Sequence, residues 1–128
     1  MIYTRRKFIK KLGVLFAVVP VWGLSRIKKQ KGFKLCTLKV AGLQYGDMSK
    51  HVFIPTQKLS FIREKDNLYD AYAVAIYLDK RKVGYIPRTN SRIIASLLDN
   101  GVNLNVNVRY FDKNKEIWDR LWVEVWQV

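Results

Sequence analysis

The stretch Ala73-Val74-Ala75-Ile76-Tyr77-Leu78-Asp79-Lys80-Arg81-Lys82-Val83-Gly84-Tyr85-Ile86 decides the fold of this chain. Residues 73–78 are almost wholly apolar, too short a run for a helix, and suited to a strand buried on both faces. Asp79-Lys80-Arg81-Lys82 makes a tight polar turn. Val83 to Ile86 then returns as the second arm of a hairpin, which Pro87 ends.

Working outward, Leu35 to Leu43 is a β-rich run with Gly42 at its end, Tyr45-Gly46-Asp47 marks a loop, and Lys58 to Arg63 reads as another strand. After the hairpin comes one helix. Asn90 or Ser91 can cap it, Ile93, Ile94, Leu97 and Leu98 form its apolar stripe, and Gly101 after Asn100 stops it. Leu104, Val106, Val108 and Tyr110 alternate with Asn103, Asn105, Asn107 and Arg109, a half-buried strand. Asp112 to Lys115 turns the chain into a last strand, Ile117 to Gln127. Leu121, Val123 and Val125 mark its inner face; Trp118, Trp122 and Trp126, interrupted by Arg120 and Glu124, mark the other. Such a Trp row packs under a helix or makes a dimer contact more often than it stacks bases. The expected fold is mainly β with minor α, a small OB-like six-stranded barrel with one or two helices.

At 128 residues, 49% of them hydrophobic, the chain suits one packed domain. Its formal charge of +14 is unevenly spread. Ten Lys or Arg and no acid precede Leu35; beyond it fourteen basic residues face ten acidic ones, a net of +4. A body at that charge suits a phosphate-bearing partner without demanding one. One cysteine, Cys36, and one histidine, His51, cannot build a four-ligand zinc site or an internal disulfide. Cys36 reads as a small buried core residue and His51 as exposed. No cofactor is expected.

Residues 1–34 read as a basic leader ahead of a domain over 35–128. Thr4-Arg5-Arg6-Lys7-Phe8-Ile9-Lys10 precedes an apolar run from Leu12 to Leu24. As a helix those residues reach about 20 Å, short of a hydrocarbon core of about 30 Å. The segment resembles bacterial twin-arginine export signals, which implies export or membrane tethering rather than a cytoplasmic product. Against this, the basic stretch Arg26 to Lys34 opposes translocation, and no Ala-x-Ala site follows.

Three segments of the body together resemble the HIRAN domain. They are Val40-Ala41-Gly42-Leu43-Gln44-Tyr45-Gly46; Leu59 to Glu64 with Asn67-Leu68-Tyr69-Asp70 and Ala73 to Ile76; and Val83-Gly84-Tyr85-Ile86-Pro87-Arg88 with Asn90, leading to Ile94-Ala95-Ser96-Leu97-Leu98. The resemblance implies an OB-like barrel that holds single-stranded DNA or RNA, in helicase-linked members the 3′ end of single-stranded DNA. Carried over, Tyr45 is the first base stacker, Tyr69 the second, and Asp70 the acceptor for the terminal 3′-hydroxyl. Arg63, Lys65, Arg88 and Arg92 are expected on the backbone phosphates. Two positions depart from the pattern: Gln44 stands where helicase-linked members have Arg, and Tyr85 where some have His. A plainer reading has Asn67 and Asp70 satisfying loop N–H groups while Tyr69 plugs the barrel.

No Gly-rich phosphate loop occurs, so no ATPase motor is expected. The competing readings are an envelope-associated interaction protein that reuses the barrel, and a small Mg²⁺-dependent nuclease built on Glu64, Asp66 and Asp70. The leader, with its possible membrane contact, and a dimer through the Trp face motivate the first.

Overall fold

The computed structural model describes residues 32–128. The leader helix, the export signal and any membrane contact fall outside the described residues, except that the first strand starts at Phe33, so Phe33 and Lys34 belong to the sheet. Six antiparallel strands make one sheet: β1 (Phe33–Lys39), β2 (Lys58–Glu64), β3 (Ala73–Leu78), β4 (Arg81–Tyr85), β5 (Leu104–Phe111) and β6 (Leu121–Gln127). Their spatial order is β1-β6-β5-β2-β3-β4, and one helix, α1 (Arg88–Asp99), follows β4.

β3 matches the expected bounds, and Ala73, Val74, Ala75 and Ile76 are all buried. Val74 and Ile76 join the core with Val83, Val106, Val108, Leu121, Val123 and Val125. Burying each such side chain contributes about 1.5–3 kcal/mol. α1 packs against β3. The turn into β4 is tighter than the sequence suggests: Leu78 already pairs with Arg81, leaving Asp79-Lys80, with Asp79 at φ 54°.

β2 is shared between two halves of the sheet. Lys58 and Leu59 pair with Asn107 and Val106 of β5, whereas Ser60 to Glu64 pair with Tyr77 to Ala73 of β3. The sheet curls, and its ends meet just beyond β1. The Val40 N–H still reaches the Leu121 carbonyl (3.0 Å), but Ala41 and Tyr85 exchange two hydrogen bonds of 2.9 and 2.8 Å. The expected strand through Leu43 therefore stops early. Gly42 turns the chain at φ 76°, and Leu43–Tyr45 forms a 3-10 turn. Leu43, Met48 and Phe53 anchor the following loop in the core.

α1 begins at Arg88, earlier than the expected Asn90 or Ser91 cap. Pro87 is extended (ψ 144°), and its carbonyl accepts the Asn90 and Ser91 N–H groups at 2.9 Å. The apolar stripe is also shifted. Ser91, Ile94, Ala95 and Leu98, at i, i+3, i+4 and i+7, turn inward, whereas Ile93 is 64% exposed. At the C-terminus the Gly101 N–H bonds to Leu98 and the Val102 N–H to Leu97, with Gly101 at φ 79°, the left-handed stop expected from the sequence.

β6 starts only at Leu121, because Ile117–Asp119 forms a 3-10 turn. Trp118 therefore leaves the Trp row, while Trp122 and Trp126 stay half-buried either side of Glu124. Cys36 is half-buried at the core's edge, and burial pushes its thiol pKa up. The His51 ring is half-buried rather than exposed, packed edge-on to Phe53 at 4.7 Å.

Closure makes a sharp demand on Gly84. A Cβ there meets the Ala41 carbonyl oxygen at 2.5 Å and Val40 Cγ1 at 2.7 Å. Gly84→Ala is expected to lower stability by about 1–3 kcal/mol in urea unfolding, the usual penalty for overpacking. An unchanged midpoint contradicts the closure described here.

Candidate nucleic-acid interface

Barrel closure sets the Gly42 turn beside the end of β4, and the β2–β3 loop and the start of α1 complete a groove. Its volume is about 430 Å³, within the range of ligand clefts, and Ala41, Gly42, Asn67, Tyr69, Asp70, Ala73, Tyr85, Ile86 and Arg88 line it.

The loop is fixed by its own polar side chains. Asn67 Oδ1 accepts the N–H groups of Tyr69 (2.9 Å) and Asp70 (3.0 Å), and its Nδ2 donates to Glu64 Oε1 at 3.0 Å. Asp70 Oδ1 accepts the Tyr72 N–H at 2.9 Å, and Oδ2 accepts the Ser91 hydroxyl at 3.1 Å. Arg88 Nη2 donates to the Tyr69 carbonyl at 2.9 Å. The plainer reading of this loop is thus half right. Asn67 and Asp70 do satisfy backbone N–H groups, but the Tyr69 side chain does not plug the barrel; it is 86% exposed.

Beneath the loop lies a charged cluster. The Tyr85 hydroxyl donates to Glu64 Oε1 (2.9 Å) and accepts from Lys82 Nζ (2.8 Å), while Lys82 Nζ stands 2.9 Å from Glu64 Oε2. Partial burial alone raises the Glu64 pKa, but hydrogen bonds from Lys82, Asn67 and Tyr85, with the lysine charge, outweigh it and hold the carboxyl below its ordinary range. The bond to Tyr85, then that to Glu64, raises the Lys82 pKa above the usual lysine value.

The sequence pattern that defines the HIRAN domain matches residues 33–126. The chain belongs to the HIRAN domain family. HIRAN domains are nucleic-acid-binding modules, generally without catalytic activity. The crystal structure of a Lactobacillus plantarum protein is similar to this HIRAN domain, with a TM-score of 0.65 and 28% identity over 75% of this chain and 94% of that one. The HIRAN domain of human HLTF is similar in its crystal structure (TM-score 0.56, 19% identity, 77% of this chain and 82% of that one). It is similar also in its NMR structure (TM-score 0.51, 18% identity, 76% and 80%). At those identities the HLTF likeness concerns the fold. No curated protein sequence matches the chain.

Of the residues singled out from sequence, the HIRAN groove brings together Asn67, Tyr69, Asp70, Tyr85 and Arg88. Tyr45 is 87% exposed on the 3-10 turn three residues past Gly42, outside the groove lining. Gln44, on the same turn, keeps its Oε1 buried without a hydrogen-bond partner and does not line the groove either. Arg63 is engaged elsewhere. Its Nε lies 3.1 Å from Asp99 Oδ1 and its Nη1 donates to the Ala73 carbonyl at 3.2 Å, tying β2 to the end of α1. Lys65 is exposed on a neighbouring hollow of about 340 Å³. Asn90 Oδ1 accepts the Thr89 hydroxyl, and Arg92 sits over the Tyr72 ring.

Glu64 and Asp66 border the hollow beside Lys65, whereas Asp70 lines the groove, and Glu64 and Asp70 each serve the separate partners described above. Among the described residues no three His, Cys, Asp or Glu side chains are grouped to hold a metal ion. Sequence reasoning assigned no site role to Tyr72 or Lys82 and read Ser91 only as a helix cap. Ser91 had a signal of its own, a polar residue amid an apolar helical stripe.

Because the folded-state Glu64 pKa is depressed, its stabilisation is complete above the ordinary carboxylate value and is lost as pH falls through the folded one. The raised Lys82 pKa leaves its contribution intact until strongly alkaline pH. Glu64→Gln is therefore expected to cost about 1 kcal/mol near neutral pH, with the gap from wild type closing in acid. Thermal unfolding of both proteins across pH checks this, and a gap that widens in acid contradicts it.

Proposed function

We propose that the groove holds single-stranded DNA by its 3′ end. The observation that carries this reading is that one carboxylate, Asp70, an exposed aromatic residue, Tyr69, and a basic residue, Arg88, line the same cleft, which is large enough for a nucleotide. Each Asp70 oxygen already accepts one donor, and an ionised carboxylate has lone pairs to spare. A sugar hydroxyl can fill one. A phosphate at that position is repelled, so a free 3′-hydroxyl is preferred over a continuing strand.

The Tyr69 side chain is free to stack on a base, since only its backbone is engaged by Asn67 and Arg88. Base–aromatic stacking contributes about 1–3 kcal/mol per base irrespective of sequence. Arg88 spends one arm on the loop carbonyl and keeps most of its donors for a phosphate. Tyr45, one short turn from Gly42, presents a second exposed ring beside the Gly42 edge of the groove. Arg63 is better assigned to holding the fold, because its largely covered side chain is committed to Asp99 and to the Ala73 carbonyl.

Fluorescence anisotropy with matched oligonucleotides ending in a 3′-hydroxyl or a 3′-phosphate tests the reading. The hydroxyl end is expected to bind more tightly, with log affinity falling against log salt at a slope of about −0.7 per phosphate contacted. Tyr69→Ala is expected to weaken binding about tenfold or more with its melting temperature unchanged. Equal affinity for both ends, or for the variant, overturns the assignment.

A further inference from the structure

The first turns of α1 engage the β2–β3 loop at three successive points. Arg88 bonds to the Tyr69 carbonyl, Ser91 to the Asp70 carboxylate, and the Arg92 guanidinium lies 5.1 Å from the centroid of the Tyr72 ring. Residues 88, 91 and 92 stand at i, i+3 and i+4, so they share one face of the helix. The first two contacts hold the groove residues Tyr69 and Asp70. The third lies outside the groove lining and is a large aromatic–cation pair that remains accessible: Tyr72 is 39% exposed and Arg92 is exposed.

We propose that Tyr72 and Arg92 form a further nucleotide subsite, taking the strand as it leaves the groove toward its 5′ side. This rests on the groove reading above. Arg88 and Arg92 are about 6 Å apart along the helix axis, comparable with one phosphate step of an extended strand. The first turn of α1 carries no acid, and Asp99 at its far end is neutralised by Arg63. Arg92 also borders a shallow hollow of about 550 Å³ walled by Ile93, Ser96, Leu97 and Asn100, where the exposed Ile93 is found. The track therefore continues past the pair instead of ending at it.

The chemistry suits a strand rather than an isolated anion. A guanidinium held over a phenol ring has already given up much of its rotamer freedom, so less is lost when it meets a phosphate or stacks under a base. The aromatic ring beside it offers a sequence-indifferent stacking surface. Tyr72, two residues beyond Asp70 and bonded to its carboxylate through the backbone, keeps a fixed offset from the terminal nucleotide.

The test measures affinity for 3′-hydroxyl oligothymidylates of two to six nucleotides with wild type, Tyr72→Ala, Tyr72→Phe and Arg92→Ala. Wild-type affinity is expected to rise with length beyond the dinucleotide. Tyr72→Ala and Arg92→Ala lose roughly tenfold on the longer strands and nothing on the dinucleotide, whereas Tyr72→Phe behaves as wild type because the ring is the binding element. A wild-type affinity that does not grow with length, or grows equally in Tyr72→Ala, overturns the subsite and leaves the groove standing. Loss at the dinucleotide too shows Tyr72 acting on the loop instead, and likewise overturns it. No binding by wild type at any length fails the groove reading itself.

Discussion

Two hydrogen bonds between Ala41 and Tyr85 hold the candidate groove of this molecule together. They join the chain beyond β1 to the end of β4, the point where a six-stranded sheet would otherwise stay open. Gly84 lets the two backbones approach, since any side chain there collides with the Ala41 carbonyl. Gly42 then turns the chain away with a left-handed φ. Without that contact, the Gly42 turn, Tyr85 and the start of α1 do not face one cleft.

The second layer of organisation is polar. The loop from Asn67 to Tyr72 buries little apolar surface: Leu68 is 92% exposed and Tyr69 nearly as much. Side-chain bonds to backbone hold it instead, from Asn67, Asp70 and Arg88, and the Glu64–Lys82–Tyr85 cluster supports Asn67 from below. Net worth per bond is only about 1 kcal/mol. Ordering a residue costs about 1–2 kcal/mol, so a loop already set in this way spares that cost when a ligand arrives. Exposed Tyr69 on a fixed loop is the arrangement a stacking surface needs, and packing requirements alone give no reason for it.

Much of the fold was legible because it depends on local pattern. The apolar run 73–78, the alternation from Leu104 to Tyr110 and the Gly101 stop each act within a few residues, and each appears where expected. What the pattern hid depends on distant partners. Arg63 finds Asp99 thirty-six residues away, an engagement with the end of the helix that no local pattern shows. The helix starts early because Pro87 supplies an extended cap, and Ile93 is exposed because the buried stripe is centred on Ile94 and Ala95. In the site, Tyr69, Asp70 and Arg88 could be named from their motif, but the engagement of Asp70 with Ser91 and of Arg92 with Tyr72 needs the helix laid against the loop.

The most direct measurement of the central claim is an NMR titration of the ¹⁵N-labelled protein with a short single-stranded DNA bearing a free 3′-hydroxyl. Amide shifts are expected to concentrate at Gly42, Asn67, Tyr69, Asp70 and Arg88, the residues that barrel closure brings to one cleft. Shifts confined to the outer face of β6 around Trp122 and Trp126, with the cleft amides unmoved, contradict the account.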